Sequence, residues 1–235
     1  MALVVRNLHA QYGKSHILHG VDFSVAAGEI VSLIGRNGSG RSTTLKAMMG
    51  LVAPTQGSVT LDSVDVAGRQ PFEIARSGIA YVPEERLVFA SLTVEQNLQL
   101  GVASERRNAP RWTVTEMYDY FPLLVERRKT LAGSLSGGEQ QMLTICRSLL
   151  GNPRVILIDE PTEGLAPKIV DSVMGMIIDI GNRGVGVVLV EQKLTFALRI
   201  SQRILVMGHG RIVFEGSPED LKNNAEIRRN WLEVA

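Results

Sequence analysis

The sequence predicts an α/β fold with a mixed sheet core, an N-terminal antiparallel β subdomain and an inserted α-helical subdomain. Residues 30–34 form a continuously apolar strand that runs into a glycine-rich loop at residues 35–43, and a helical stretch follows from residue 44 to 49. A second apolar strand, residues 155–158, ends in Asp159 and Glu160. Continuous apolar runs are typical of strands buried on both faces of a parallel sheet. Ligands bind at the carboxyl edge of such sheets, so both segments indicate a binding site there.

Shorter β segments precede and follow these two strands. Residues 4–5, 21–25 and 59–62 cluster β-branched residues between glycine and asparagine breaks, which predicts a small antiparallel sheet. Residues 79–82 and 185–190 add buried strands, and two short strands flank a turn at residues 208–210.

Helical patterning is concentrated in the middle of the chain. From residue 93 to about 128 the pattern becomes helical and more charged, and the tail at residues 218–235 is helical and amphipathic. We therefore expect one domain over residues 1–235. Its α/β core with the β subdomain spans residues 1–84 and 151–235, and its helical subdomain spans residues 85–150.

Composition excludes several classes of protein. Lys plus Arg (25) nearly balance Asp plus Glu (24), so the chain lacks the basic field of a non-specific nucleic-acid binder, and we expect no nucleic-acid partner. Its single cysteine, Cys146, excludes a disulfide framework and is expected in the core. Residues 1–6 lack the apolar segment of a signal peptide, and no apolar run approaches the ~18 residues of a membrane span. We expect the chain to reach a membrane only by docking to another protein.

The glycine-rich loop fits the phosphate-binding pattern G-x-x-x-x-G-K-[ST] except that Arg41 replaces the lysine. Glycines let backbone N–H groups approach a phosphate closely, some at positive φ. An ordinary strand-to-helix turn is the alternative, but the flanking strand and helix favour a phosphate site. Arginine keeps the charge but is planar and bulkier than an ammonium group, so we expect nucleotide binding to persist and hydrolysis to slow. The candidate nucleotide-binding residues of this loop are Gly35, Asn37, Gly38, Ser39, Gly40, Arg41, Ser42 and Thr43.

A second anion grip is formed by Ser136, Gly137 and Gly138, just before a helix. Backbone N–H groups, a hydroxyl and the helix dipole there favour a phosphate. Downstream, Asp159 is suited to hold Mg²⁺ and Glu160 to polarise or position an attacking water. The alternative, in which the two acids only end a strand at a turn, does not account for the preceding grip.

With the loop, the grip and the acidic strand in this order, the chain resembles the ATP-binding cassette (ABC) family of transport ATPases. The resemblance implies that Tyr12 stacks on adenine. It implies that Glu84 takes the place of the glutamine that most members carry after this strand, and Gln192 that of their switch histidine. For each of these three, a half-exposed or solvated surface residue is the alternative. The implied catalytic residues are Glu160, Gln192 and Glu84, and the implied Mg²⁺ ligands are Ser42, Asp159 and Glu84.

Five further segments, residues 82–84, 86–89, 92–98, 163–167 and 190–192, are similar to the LivF-type ATPase of branched-chain amino acid importers. Closely related subunits serve urea and short-chain amide importers, so the substrate stays open. The resemblance implies ATP and Mg²⁺ as cofactors and a position at the cytoplasmic face of the inner membrane. The implied partners are a LivG-like second ATPase or a second copy of this chain, two integral membrane permeases and, indirectly, an extracytoplasmic solute-binding protein. In the implied head-to-tail dimer, each Ser136 grip closes on the ATP of the opposite subunit.

Two other functions compete with transport. A regulatory subunit that binds ATP but hardly hydrolyses it is favoured by Arg41 and Gln192 and opposed by Glu160. A soluble ABC protein acting on ribosomes or DNA is disfavoured, because such proteins usually carry two cassettes in one chain or a long coiled-coil insert. This 235-residue chain has neither.

Overall fold

The structure, a computed structural model, describes residues 3–103 and 109–232. Residues 104–108 of the expected helical subdomain and residues 233–235 of the expected helical tail lie outside this range, as do residues 1 and 2. The strands, numbered in chain order, are β1 (Leu3–Tyr12), β2 (Ser15–Val25), β3 (Ile30–Ile34), β4 (Pro54–Leu61), β5 (Val64–Asp65), β6 (Ile79–Val82), β7 (Val155–Asp159), β8 (Gly186–Val190), β9 (Arg203–Gly208) and β10 (Arg211–Gly216).

The helices are short except for two, α6 and α7. They are α1 (Arg41–Met48), α2 (Pro71–Ser77), α3 (Val94–Gly101), α4 (Val114–Tyr120), α5 (Pro122–Glu126), α6 (Gly137–Leu149), α7 (Pro167–Asn182), α8 (Leu194–Ile200), α9 (Pro218–Asn223) and α10 (Ala225–Trp231). None of the helices within the described residues is long and apolar enough to cross a bilayer.

Two sheets form the frame of the molecule. The core sheet has the order β10-β9-β3-β8-β7-β6, in which β9 to β6 run parallel and β10 is antiparallel to β9. The second sheet, β2-β1-β4-β5, is antiparallel throughout. The mixed core sheet and the N-terminal antiparallel sheet are therefore confirmed.

The core sheet is covered on both faces, which explains its continuously apolar strands. Side chains alternate along β7: Val155 and Leu157 pack with α1 and the N-terminal sheet, whereas Ile156 and Ile158 pack with α6 and α7. Cys146 lies in the second of these layers, fully buried as expected, and burial raises the pKa of its thiol.

The helical insertion consists of several short helices rather than one long stretch. Thr93 caps α3 and Thr113 caps α4, each by a capping box with the side chain three residues later, and Pro122 starts α5. Ser136 caps α6 in the same way through Glu139, so the expected helix start at the grip is confirmed. The proposed subdomain limits, 85 and 150, stay a prediction.

Candidate functional site

Three neighbouring parallel strands of the core sheet end at one edge. The glycine-rich loop follows β3, Asp159 and Glu160 end β7, and Glu191 and Gln192 follow β8, whose last residue is aligned with Asp159. A cavity of about 360 Å³ opens there. It is lined by Asn37, Gly38, Ser39, Gly40, Arg41, Ser42, Thr43, Glu84, Glu160, Glu163 and Gln192.

The glycine-rich loop keeps its backbone open toward this cavity. Gly40 precedes α1 with φ +107°, and a Cβ there would come within 3.0 Å of Leu18 and Met207. Gly38 has φ +78°, a conformation that favours glycine. The Ser39 hydroxyl is buried and has no hydrogen-bond partner among the described residues. A buried unpaired hydroxyl in a loop at a helix start fits an anion that would accept its hydrogen bond.

The Arg41 side chain extends from the start of α1 into the sheet edge, where it is 5% exposed. Its Nη1 donates to the Glu191 carbonyl oxygen at 3.0 Å, and its Nη2 donates to Asn37 Oδ1 and to Glu160 Oε1, each at 3.1 Å. A planar guanidinium reaches three acceptors in different directions because its donors are spread over a fork. The cation of the loop is thus paired with the carboxylate expected to position water.

Glu160 is held from two sides. Besides Arg41, it accepts a hydrogen bond from Gln192 Nε2 at its Oε2, at 2.7 Å. Burial and a hydrogen bond with Glu163 raise the pKa of Glu160 to about 7, although Arg41 acts in the opposite direction. Glu160 also adopts φ +46°, a left-handed conformation that is costly for a residue with a side chain. The structure therefore brings together Glu160 and Gln192, two of the three predicted catalytic residues.

Asp159 faces the start of α1. Its Oδ1 accepts a hydrogen bond from the Ser42 hydroxyl at 3.0 Å, and its Oδ2 accepts one from the Tyr81 hydroxyl at 3.3 Å. Burial raises the pKa of Asp159 to about 6. Ser42 and Asp159, two of the three predicted Mg²⁺ ligands, are thus adjacent. Sequence reasoning missed Tyr81, which is placed by the pairing of β6 with β7.

Carboxylate oxygens of Glu84, Glu160 and Glu163 lie within 4.8 Å of one another. Hydroxyl and carboxylate oxygens are the ligands that Mg²⁺ prefers, so the donor set at this edge fits that ion. Glu84 is exposed and lines the same cavity as Ser42. Sequence reasoning missed Glu163, although it lies only a few residues beyond the acidic pair.

Tyr12 and the grip are the other predicted nucleotide-binding groups. Tyr12 ends β1 and is 49% exposed. Ser136 caps α6, with its N–H donating to Glu139 Oε2 at 2.7 Å. Neither Tyr12 nor residues 136–138 belong to the described cavity lining. The grip therefore contributes no residue to the described lining of the cavity in its own chain.

A family model described as "ABC transporter" matches residues 18–163. The chain belongs to the ABC transporter family. This confirms the resemblance, and with it an ABC-type ATP-binding cassette that hydrolyses ATP. The roles of the individual site residues of this ABC ATPase stay predictions.

Other proteins resemble this ABC ATPase along most of its length. The high-affinity branched-chain amino acid transport ATP-binding protein BraG of Pseudomonas aeruginosa is 40% identical over 94% of this chain and 95% of its own. The lipopolysaccharide export system ATP-binding protein LptB of Haemophilus influenzae is 33% identical over 98% and 96%. A solved dimer of an ATP-binding cassette in a post-hydrolysis state, bound to ADP and Pi, has a TM-score of 0.80 at 27% identity, covering 92% of this chain and 98% of that one.

Substituting Arg41→Lys should raise ATP turnover of the assembled transporter by roughly tenfold. Losing a preorganised charge stabiliser lowers the reaction rate about a hundred- to thousandfold. Arg41 keeps its charge but is paired with Glu160, so we expect it to lose only part of that rate. Steady-state phosphate release measures the effect. Arg36→Lys, the same change at an exposed position of the same loop, is the control and should leave turnover unchanged. Unchanged turnover in Arg41→Lys contradicts the prediction.

Proposed function

We propose that this chain is the ATP-binding subunit of an importer for branched-chain or related hydrophobic amino acids, peripheral to the cytoplasmic face of the inner membrane. The observation that carries the proposed ATPase activity is that one and the same cavity is lined by Arg41, Ser42, Glu160 and Gln192. Similarity to BraG over nearly the whole chain supports the substrate class.

The side chains of the cavity have separable tasks. The loop amides and the Ser39 hydroxyl bind phosphate oxygens, and Arg41 supplies positive charge beside them. Glu160 orients the attacking water, and Gln192 fixes the Glu160 carboxylate through its hydrogen bond of 2.7 Å. Mg²⁺, when held by Ser42, Asp159 and Glu84, would neutralise charge on the phosphates.

The grip at Ser136 completes a site in a second subunit. It lies outside the cavity lining of its own chain, and a related cassette forms a dimer with bound ADP and Pi. We therefore propose a head-to-tail dimer with a LivG-like ATPase or with a second copy. ATP bridges the two subunits, and hydrolysis removes the contacts that they share through the γ-phosphate.

An apolar groove beside this site suits the membrane partners. About 570 Å³ in volume, it runs between the core and α6. Phe72 is 58% exposed there and Leu87 is 59% exposed. We propose that a cytoplasmic segment of each of the two permeases docks in such a groove, while an extracytoplasmic binding protein delivers the amino acid on the other side.

Two alternatives have support of their own. A weakly hydrolysing regulatory subunit is favoured by the ion pair between Arg41 and Glu160, which occupies both groups. A different transported substrate, such as urea or a short-chain amide, is compatible with the same ATPase, and the similarity to LptB shows that closely related cassettes serve other transporters.

The substrate is tested by reconstituting the chain with its permeases and binding protein in liposomes. We expect ATP inside the vesicles to drive uptake of labelled leucine or isoleucine but not of labelled urea. Glu160→Gln in this chain should reduce uptake at least tenfold, because water is no longer positioned. Urea uptake without leucine uptake would contradict the substrate class, and ATP binding with no turnover would favour the regulatory subunit.

Permease docking is tested by Phe72→Asp, which places a charge in the apolar groove. We expect the complex to lose permease-stimulated ATPase activity, while ATP binding by the isolated chain is retained. Val64→Asp is the matched control, because Val64 is 52% exposed on β5 and does not line the groove. Equal effects of the two substitutions on permease-stimulated ATPase activity would argue against docking at this groove.

A further inference from the structure

One short loop after β6 connects the ATP cavity with the grip of the same chain. Glu84 lines the cavity beside Glu160 and Glu163. Two positions later, Arg86 turns toward the start of α6, on the surface that carries Ser136 and Gly137. The loop therefore presents an acid to one half-site and a cation to the other.

The guanidinium of Arg86 lies directly on the grip. A Cβ added to Gly137 would come within 2.1 Å of Arg86 Nη1, and one added to Gly164 within 3.2 Å of Nη2. Arg86 Nη2 also donates to the carbonyl oxygen of Glu163 at 2.6 Å. Any Cβ at position 137 would displace the Arg86 guanidinium from this place, so the grip and Arg86 form one surface.

Arg86 and the dipole of α6 both contribute positive charge at this surface. Arg86 adds a full charge to the N-terminal end of the 13-residue helix α6, where the helix dipole is already positive. The acid of the first turn, Glu139, contacts the grip itself and a neighbouring arginine. Its Oε2 accepts from the Ser136 N–H at 2.7 Å, and its Oε1 lies 3.6 Å from Arg127 Nε.

The backbone at Arg86 is also unusual. Its φ is +51°, in the left-handed region that residues with a Cβ rarely adopt. Such conformations are concentrated at ligand clamps and switch regions, where the surroundings hold them. Here the conformation directs the side chain to the grip while Glu84 remains at the cavity.

We propose that Arg86 is a catalytic residue in trans, which contacts the γ-phosphate of ATP bound in the opposite subunit. This inference rests on the proposed dimer, in which the Ser136 grip closes on that ATP. The neutral Glu163 carbonyl holds the guanidinium in the isolated chain, and a phosphate oxygen replaces it in the dimer with a stronger, charge-assisted hydrogen bond. Arg86 stabilises charge on the transferred phosphoryl group and exchanges no proton.

The two arginines of the site then have different tasks. Arg41 is buried and paired with Glu160, so its charge is partly committed within its own half-site. Arg86 is partly exposed, and its described hydrogen bond is made to a backbone carbonyl oxygen. Its charge is therefore available to an incoming phosphate. In a composite site, Arg86 of the second subunit would thus supply positive charge that compensates for the pairing of Arg41 with Glu160.

The test compares Arg86→Ala, Arg86→Lys and the control Arg199→Ala, an exposed arginine on α8. In the assembled transporter we expect Arg86→Ala to lower kcat roughly a hundredfold, the usual cost of losing one charge stabiliser. Arg86→Lys should lose roughly tenfold, since it keeps the charge without the planar fork. Arg199→Ala should match the wild type.

Binding to the isolated chain separates a role in trans from a role in its own site. The Kd for a non-hydrolysable ATP analogue should stay within about twofold in Arg86→Ala, because its own phosphate loop is intact. The melting temperature should also match the wild type. Wild-type kcat in Arg86→Ala, a weakened Kd in the isolated chain, or equal losses in Arg86→Lys and Arg86→Ala would each overturn the proposal.

If the proposed dimeric ATPase is itself wrong, the measurements differ from those that overturn the Arg86 inference. If the wild-type complex does not hydrolyse ATP, or if Glu160→Gln does not lower its turnover, the proposed function fails whatever the Arg86 variants do. If the wild type turns over normally and responds to Glu160→Gln, the Arg86 measurements apply to this inference alone.

Discussion

A buried ion pair between Arg41 and Glu160 holds the site together. The two side chains are each 5% exposed and lie 3.1 Å apart. A buried pair is tolerated only when hydrogen bonds satisfy its other polar atoms. Here Asn37 and the Glu191 carbonyl complete the partners of Arg41, and Gln192 completes those of Glu160. The loops after β3, β7 and β8 are thereby joined in one network.

Much of this arrangement could be predicted because it follows from strand order. Continuously apolar strands must be buried, parallel strands end at one edge, and the residues after β3, β7 and β8 are therefore brought together. The start of α6 at Ser136 was equally predictable, since its capping box with Glu139 is local in sequence.

Other features depend on contacts that no local pattern contains. Arg41 and Glu160 are 119 positions apart, and their pairing depends on side-chain direction as well as strand order. The approach of Arg86 to Gly137 likewise depends on how the loop after β6 packs against α6. The helical pattern from residue 93 did not reveal three separate helices, although the capping residues Thr93 and Thr113 are visible in the sequence.

The ion pair between Arg41 and Glu160 is also a feature of the nucleotide-free state of the ATPase. An arginine that satisfies Glu160 must be shared with the phosphates when ATP enters the cavity. We therefore propose that ATP competes with a carboxylate of the same chain for Arg41, a competition that a loop with an unpaired cation would lack.

The affinity of the isolated chain for a non-hydrolysable ATP analogue tests this competition most directly. Calorimetric titration would compare the wild type with Glu160→Gln and with Glu163→Gln, which removes the same charge from the same cavity without breaking the ion pair. If ATP and Glu160 compete for Arg41, Glu160→Gln raises affinity about tenfold, equivalent to about 1.4 kcal/mol, and clearly more than Glu163→Gln. Equal effects of the two substitutions, or no gain in Glu160→Gln, would contradict the competition.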